Sequence, residues 1–340
     1  MTAEVPRERR IGQINFVRNN FGQDLVSPNF PLLDYEWLVL RLSGSVTVSG
    51  GTTDGTVGVE APFSLVKSIQ VVVTGLTGDT FVDIPMSELR VITHMIGRRP
   101  ALEPKFAAPA ATVGTNTFFA EVYLPFALED MSNPYRGFFA SNRYGQVRLR
   151  IQWGNEEDLI NGGDRTEVVD ATTLIEVFGR EYSYNPTFEL ANDLLLNQRV
   201  FVKDISINNS AQTNFEIEIP RTASFLRGIL LKQFVQTTFE QPINTLINGD
   251  QQVTLLYNDL DRKYEYKWNQ LTRQNFEMYR GDFPLVGGLP FYAFLDLSPR
   301  GDFARLQNML NLQKIAIRVD NNAVANAFLR VVLLKYALSA

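Results

Sequence analysis

Apolar and polar residues along this chain recur with a period of two rather than 3.6. Residues 35–48 (YEWLVLRLSGSVTV) largely alternate and are rich in strand-favouring types. The same pattern returns over 147–151, 215–219 and 315–319. Alternation buries one face of a strand and wets the other, as in a sandwich of two sheets. Segments rich in Gly and Thr, such as 49–55 (SGGTTDG), separate the strands. Helices are predicted to be few and short. One covers 85–96, with Leu89, Ile92 and Ile96 on one stripe and Pro85 near its first turn. A second begins near Pro134 with Asn133 as its cap. A third begins near Asp302, with Phe303, Leu306 and Leu310 on one face.

The pattern repeats along the chain. SLVKSI at position 64 matches SFLRGI at position 224, and each leads into an apolar strand. FAEVYL at 119 resembles FYAFLD at 291, each followed by a predicted helix and then an alternating strand at 146 or 313. LIEVFGREY at 174 parallels FLRVVLLKY at 328. Three matches in one order point to a duplicated unit rather than to chance among β-rich strings. The expected organisation is an N-terminal arm over 1–34, a first sandwich over 35–190 and a second over 191–340. Each half has the size of an eight-stranded sandwich.

Composition narrows the function. The chain has 340 residues, 45% of them hydrophobic, enough for two cores. The net charge of -5 argues against a general nucleic-acid binder. Four arginines nevertheless crowd the start: Arg7, Arg9, Arg10 and Arg18. They read either as a solvated, frayed arm or as an arm contacting anionic lipid, nucleic acid or a neighbouring subunit. Arginine also outnumbers lysine, 24 to 8, which suits contacts between subunits or a hot host. With no cysteine, disulfides and thiolate metal sites are excluded. Residues 1–10 are polar with no apolar stretch behind them, so no secretory leader is expected. No apolar run reaches the length of a membrane span; the densest, 225–235, is broken by Arg227 and Lys232.

Candidate chemistry is sparse. His94 is the one histidine, so multi-histidine metal sites fail and a Ser-His-Asp triad would need His94 itself. Its place on the predicted helix, away from the apolar stripe, makes it a surface or interface residue. The acidic loop Glu156-Glu157-Asp158, followed by Asn161-Gly-Gly-Asp164, could offer oxygen ligands to calcium, but its spacing is not that of an EF-hand. No phosphate-binding glycine loop is present. No catalytic residue, metal or cofactor is therefore expected.

The two β-rich halves, the matched strands at 64 and 224, and the strand-helix-strand units over 119–151 and 291–319 resemble the double jelly-roll major capsid proteins of the adenovirus and tectivirus lineage. The length suits the small phage and archaeal-virus members. The resemblance implies an all-β fold of two tandem eight-stranded jelly-roll sandwiches with short helices between strands. It implies a non-enzymatic protein located in the capsid shell of a virion and assembled in the host cytoplasm. Its partners would be two further copies in a homotrimer, neighbouring capsomers, minor capsid and penton proteins, and the internal lipid membrane that such shells often enclose. Sequence-specific nucleic acid is not among them. Arg7, Arg9, Arg10 and Arg18 would then face the inner side, against lipid or adjacent capsomers. The loops over 49–60, 154–171 and 237–249 would decorate the shell or join subunits. The rival reading is a two-domain β-sandwich that binds glycans or acts as an amidase-like or glycosidase-like enzyme. It predicts a polar, aromatic-lined groove and a working monomer.

Overall fold

A computed structural model describes residues 7–74, 79–96, 105–126, 139–141, 144–182, 196–207, 210–222, 224–258, 261–279, 290–298 and 307–338. The chain divides into two compact units, Met1–Gln198 and Arg199–Leu338. Both are jelly-roll sandwiches built almost wholly of antiparallel strands.

In the first unit one sheet runs in the order Arg7–Asn15, Leu174–Tyr182, Asp34–Ser49, Gly114–Pro125. The other runs Asp79–Ile84, Val66–Thr74, Gln146–Trp153, Leu25–Val26. The alternation seen in the sequence sets which face is inward. In Asp34–Ser49, Leu38, Leu40, Leu42, Val46 and Val48 are buried. The intervening Arg41, Ser43, Ser45 and Thr47 are at least partly open. Small residues let the sheets close on one another. A Cβ on Gly12 would lie 2.9 Å from the Leu25 side chain of the opposite sheet. The helix α1 (Met86–Ile96) covers one end of the sandwich, with Leu89 and Ile92 buried on the predicted stripe.

The second unit repeats this plan. One sheet holds Leu196–Ser206, Ala327–Leu338 and Ser224–Gln236, the last also pairing with Tyr292–Asp296. The other runs Gln212–Glu218, Ile315–Asn321, Gln252–Tyr257, Asp261–Lys267. Side chains from both sheets meet in one core, including Leu226, Ile229, Val331, Leu255 and Ile317. A helix, α2 (Trp268–Tyr279), precedes Tyr292–Asp296 just as α1 precedes Gly114–Pro125.

Strand pairing fixes which segments are equivalent, and it corrects one of the sequence matches. Leu174–Tyr182 and Ala327–Leu338 each close their unit and each lie between its first strand and its longest one. Gly114–Pro125 and Tyr292–Asp296 each pair with that longest strand. These two matches agree with the topology. The match of position 64 with 224 does not. Ser224–Gln236 occupies the place of Asp34–Ser49, and the counterpart of Val66–Thr74 is Gln252–Tyr257, the strand between Asp261–Lys267 and Ile315–Asn321. Buried strands draw on so few residue types that a six-residue likeness can arise out of register.

The helices also depart from expectation. α2 was not predicted. The helix expected near Pro134 lies outside the described residues, as does the start of the one near Asp302. Leu310 sits in a short 3-10 turn, Met309–Asn311, and is 65% exposed, so it is not on a buried helical face.

One buried cation in this unit carries a pH signature. Lys335 is 3% exposed, and its Nζ donates to the Pro220 carbonyl at 3.3 Å and to Thr222 Oγ1 at 3.4 Å. Burial pushes its pKa down to about 8. An unfolded lysine titrates near ~10.4, so between those values the unfolded chain holds more protons and stability rises with pH. Lys335→Met should stabilise the protein by about 1–2 kcal/mol at pH 7 by removing the desolvation cost. It should also flatten that rise. Urea titrations of both proteins at pH 7 and pH 10 measure it; equal pH slopes would refute the assignment.

Candidate functional site

The four arginines do not form a detached arm. Arg7–Asn15 is the edge strand of the first sheet and pairs with Leu174–Tyr182, Arg7 opposite Glu181 and Asn15 opposite Leu174, with a bulge between Arg10 and Gly12. Ile14 within it is fully buried. Arg10 Nη2 lies 2.9 Å from Glu176 Oε1, and Arg18 Nε lies 2.8 Å from Glu156 Oε2. Arg7 and Arg9 are exposed with no ion pair among the described residues. A charged edge of this kind resists pairing with a stray strand.

The strands carry an ordered set of side chains on the outer face of this sheet. Arg41 stands opposite both Glu121 and Glu176. Its Nε donates to Glu121 Oε2 at 2.5 Å, and its Nη2 reaches Glu8 Oε1 at 3.1 Å. Burial lowers the Arg41 pKa, but the Glu121 and Glu8 carboxylates outweigh it and raise the value. Burial, joined by the Glu121 carboxylate that accepts its hydroxyl proton, raises the pKa of Tyr123. The Arg41 guanidinium lies 4.3 Å from the Phe178 ring centre, and the Arg180 guanidinium 4.3 Å from that of Trp37. Trp37 and Val39 are buried beneath Tyr123 and Phe178. The rest of the face carries short hydroxyl side chains, with Asp170 accepting from Ser45 and Thr47. Phe119 and Val168 project from it, 47% and 50% exposed.

The remaining candidates have structural roles. The acidic loop forms a 3-10 turn, Glu156–Asp158, in which Asp158 Oδ2 accepts the Asn155 N–H at 3.0 Å. Asp158 pairs with Lys67, and Glu156 with Arg18. Asp164 latches the 49–55 loop: its Oδ1 accepts the N–H groups of Thr52 at 2.8 Å and Thr53 at 2.6 Å. Those donors, Thr53 first, hold its pKa below the ordinary carboxylate value. Gly162 and Gly163, at φ of 73° and 79°, supply the turn that aims it. The 237–249 loop is not wholly outward, since Leu246 and Ile247 are buried in the second core. His94 is half-buried near the end of α1. A shallow cleft beside α2 is lined by Tyr264 and Tyr266, whose rings stack at 6.5 Å. Of its amides, Asn275 is taken up by both backbone groups of Phe294 at 2.8 Å.

No protein-family model and no curated protein sequence matches the chain. Solved structures do match. The STIV MCP superposes with a TM-score of 0.70 at 12% identity, over 98% of this chain and 97% of its own. A chain from the atomic structure of Sulfolobus Turreted Icosahedral Virus gives 0.73 at 12% identity, over 98% and 91%. The major capsid protein P2 from bacteriophage PM2 gives 0.58 at 13% identity, over 99% and 98%. The likeness runs through both units from end to end, and the fold of this chain is that of the double jelly-roll capsid proteins.

Proposed function

We propose that this chain is the major capsid protein of an icosahedral virus, a structural protein without catalytic activity. The observation that carries the reading is the end-to-end likeness to the STIV MCP, 98% of one chain on 97% of the other. A shared single sandwich would say far less, because sandwiches host many functions. Here the likeness covers both units.

The duplication gives the mechanism. Three copies bring six similar sandwiches around one axis, which makes a pseudo-hexagonal capsomer able to tile a facet. The protein would reside in the virion shell, assembled in the host cytoplasm against neighbouring capsomers and minor and penton proteins. Light scattering coupled to size exclusion should give a particle of three times 38.5 kDa or a larger assembly. A monomer that stays monomeric on concentration would overturn the reading.

Arg7 and Arg9 are the arginines that remain open for an inner-face contact with anionic lipid. Deleting the first eighteen residues would not test this, because it would also remove buried Ile14 and an entire strand. Arg7→Gln with Arg9→Gln keeps the strand. It should weaken cosedimentation with phosphatidylserine vesicles roughly thirtyfold at low salt, about 1 kcal/mol for each of the two charges. Unchanged lipid binding would reject the role.

A further inference from the structure

The outer face of the equivalent sheet is treated differently in the two units. In the second unit it is buried in the folded chain. Leu230, Lys232 and Val332 are fully buried, and Phe234, Leu334 and Tyr336 are at most 3% exposed. None of these belongs to the core between that unit's two sheets. In the first unit the same face is open. The side chains of Glu8, Arg10 and Arg41 are 48%, 51% and 41% exposed, and Phe119 is 47% exposed. Yet the two faces share one chemistry. On the buried one, the Arg330 guanidinium lies 4.7 Å from the Phe234 ring centre and pairs with Asp204 and Glu240, while Lys232 pairs with Glu240. On the open one, Arg41 and Arg180 lie over Phe178 and Trp37 and pair with Glu121 and Glu36. The open face is built like a covered one.

We propose that the open outer face of the first unit is the seam at which a second copy of this chain docks within the trimer; the inference rests on the capsid reading above. The contact is heterologous. The first unit's face on one copy meets a different surface on the next, and such contacts close into a ring when the rotation allows. The charges favour a protein partner over a polyanion. Arg10, Arg41 and Arg180 are each neutralised by a carboxylate of the same chain, so these three arginines do not add a basic field to this face. Tyr and Arg are among the residues that anchor protein interfaces, and Tyr123, Arg41 and Arg180 stand partly exposed on one half of the face. Short hydroxyls keep the other half flat, and Phe119 and Val168 are the apolar groups left to fill a partner's surface.

Phe119→Arg combined with Val168→Arg tests the seam. Both positions are about half exposed, so the variant should fold, which far-UV circular dichroism and an unchanged unfolding midpoint would verify. Val59→Arg with Leu310→Arg, at 59% and 65% exposure, is the matched control off this face. Light scattering at a series of concentrations should show the wild type and the control as trimers. The half-trimer concentration of the seam variant should rise about a hundredfold, as expected for losing two anchors near tenfold each. A trimeric wild type with an equally trimeric seam variant overturns the seam alone. Loss of the trimer in the control as well also overturns it. A monomeric wild type overturns the seam together with the capsid reading.

Discussion

Asp296→Ala is expected to lower the stability of the second unit by about 3–5 kcal/mol, the range for removing one partner of a buried ion pair. Asp296 and Arg227 pair on adjacent strands with side chains only 4% and 3% exposed. Asp296 Oδ1 also accepts the Ser298 N–H at 3.0 Å. Alanine would remove the carboxylate that faces the buried Arg227 charge and would free a backbone donor as well. Replacing both partners, as Arg227→Met with Asp296→Leu, should restore most of the loss, because neither charge then has to be desolvated. Guanidinium titrations of the three proteins measure the coupling. A single-mutant loss below about 1 kcal/mol would show that water reaches the pair.

Trp153→Ala should cost the first unit about 3–5 kcal/mol, through lost burial and the cavity left behind. Trp153 is 1% exposed at the end of its strand. Its ring meets Phe16 edge to face at 5.5 Å, and its N–H backbone group donates to the Asn20 carbonyl at 2.9 Å. Gly22 passes so close that a Cβ there would fall 3.0 Å from Trp153 Nε1 and 2.5 Å from Ile14. The ring therefore holds down the segment that follows the first strand. Hydrogen exchange should quicken across 14–22 in the variant before it does elsewhere. Trp153→Phe keeps part of the fill and should lose less than half as much. Uniform exchange across the unit in Trp153→Ala would refute this local role.

How much of this was legible beforehand depended on the range of the interaction. Period-two alternation is local, and it identified the strands and their inward residues, Leu38 to Val48 among them. The stripe of α1 is equally local. α2 escaped because its sequence, WNQLTRQNFEMY, buries few apolar residues and one amide, Asn275, whose role is set by a strand nineteen positions on. The strand Arg7–Asn15 looked like an arm because its partner is Leu174–Tyr182, and no pattern within the first eighteen residues reports that pairing. The outer faces were misleading in the same way. Arg227, Lys232 and Arg330 interrupt apolar strings, yet all three are buried. Their carboxylate partners come from other strands and loops, and a one-dimensional pattern does not display them. The arginine cluster was visible, but that Arg10 and Arg18 would be neutralised by Glu176 and Glu156 was not.

Each unit opens with a strand whose neighbour in the sheet is the last strand of the same unit: Arg7–Asn15 with Leu174–Tyr182, and Leu196–Ser206 with Ala327–Leu338. On the ribosome this imposes an order in time. The opening strand leaves the exit tunnel long before its partner exists, and at typical synthesis rates it waits roughly 10–30 s. Closure of the first sandwich is then released by translation of its final strand, while the second is still being made. Until that last strand emerges, Arg7–Asn15 is an unfinished edge in the crowded cell, and its arginines help keep it from joining another chain meanwhile.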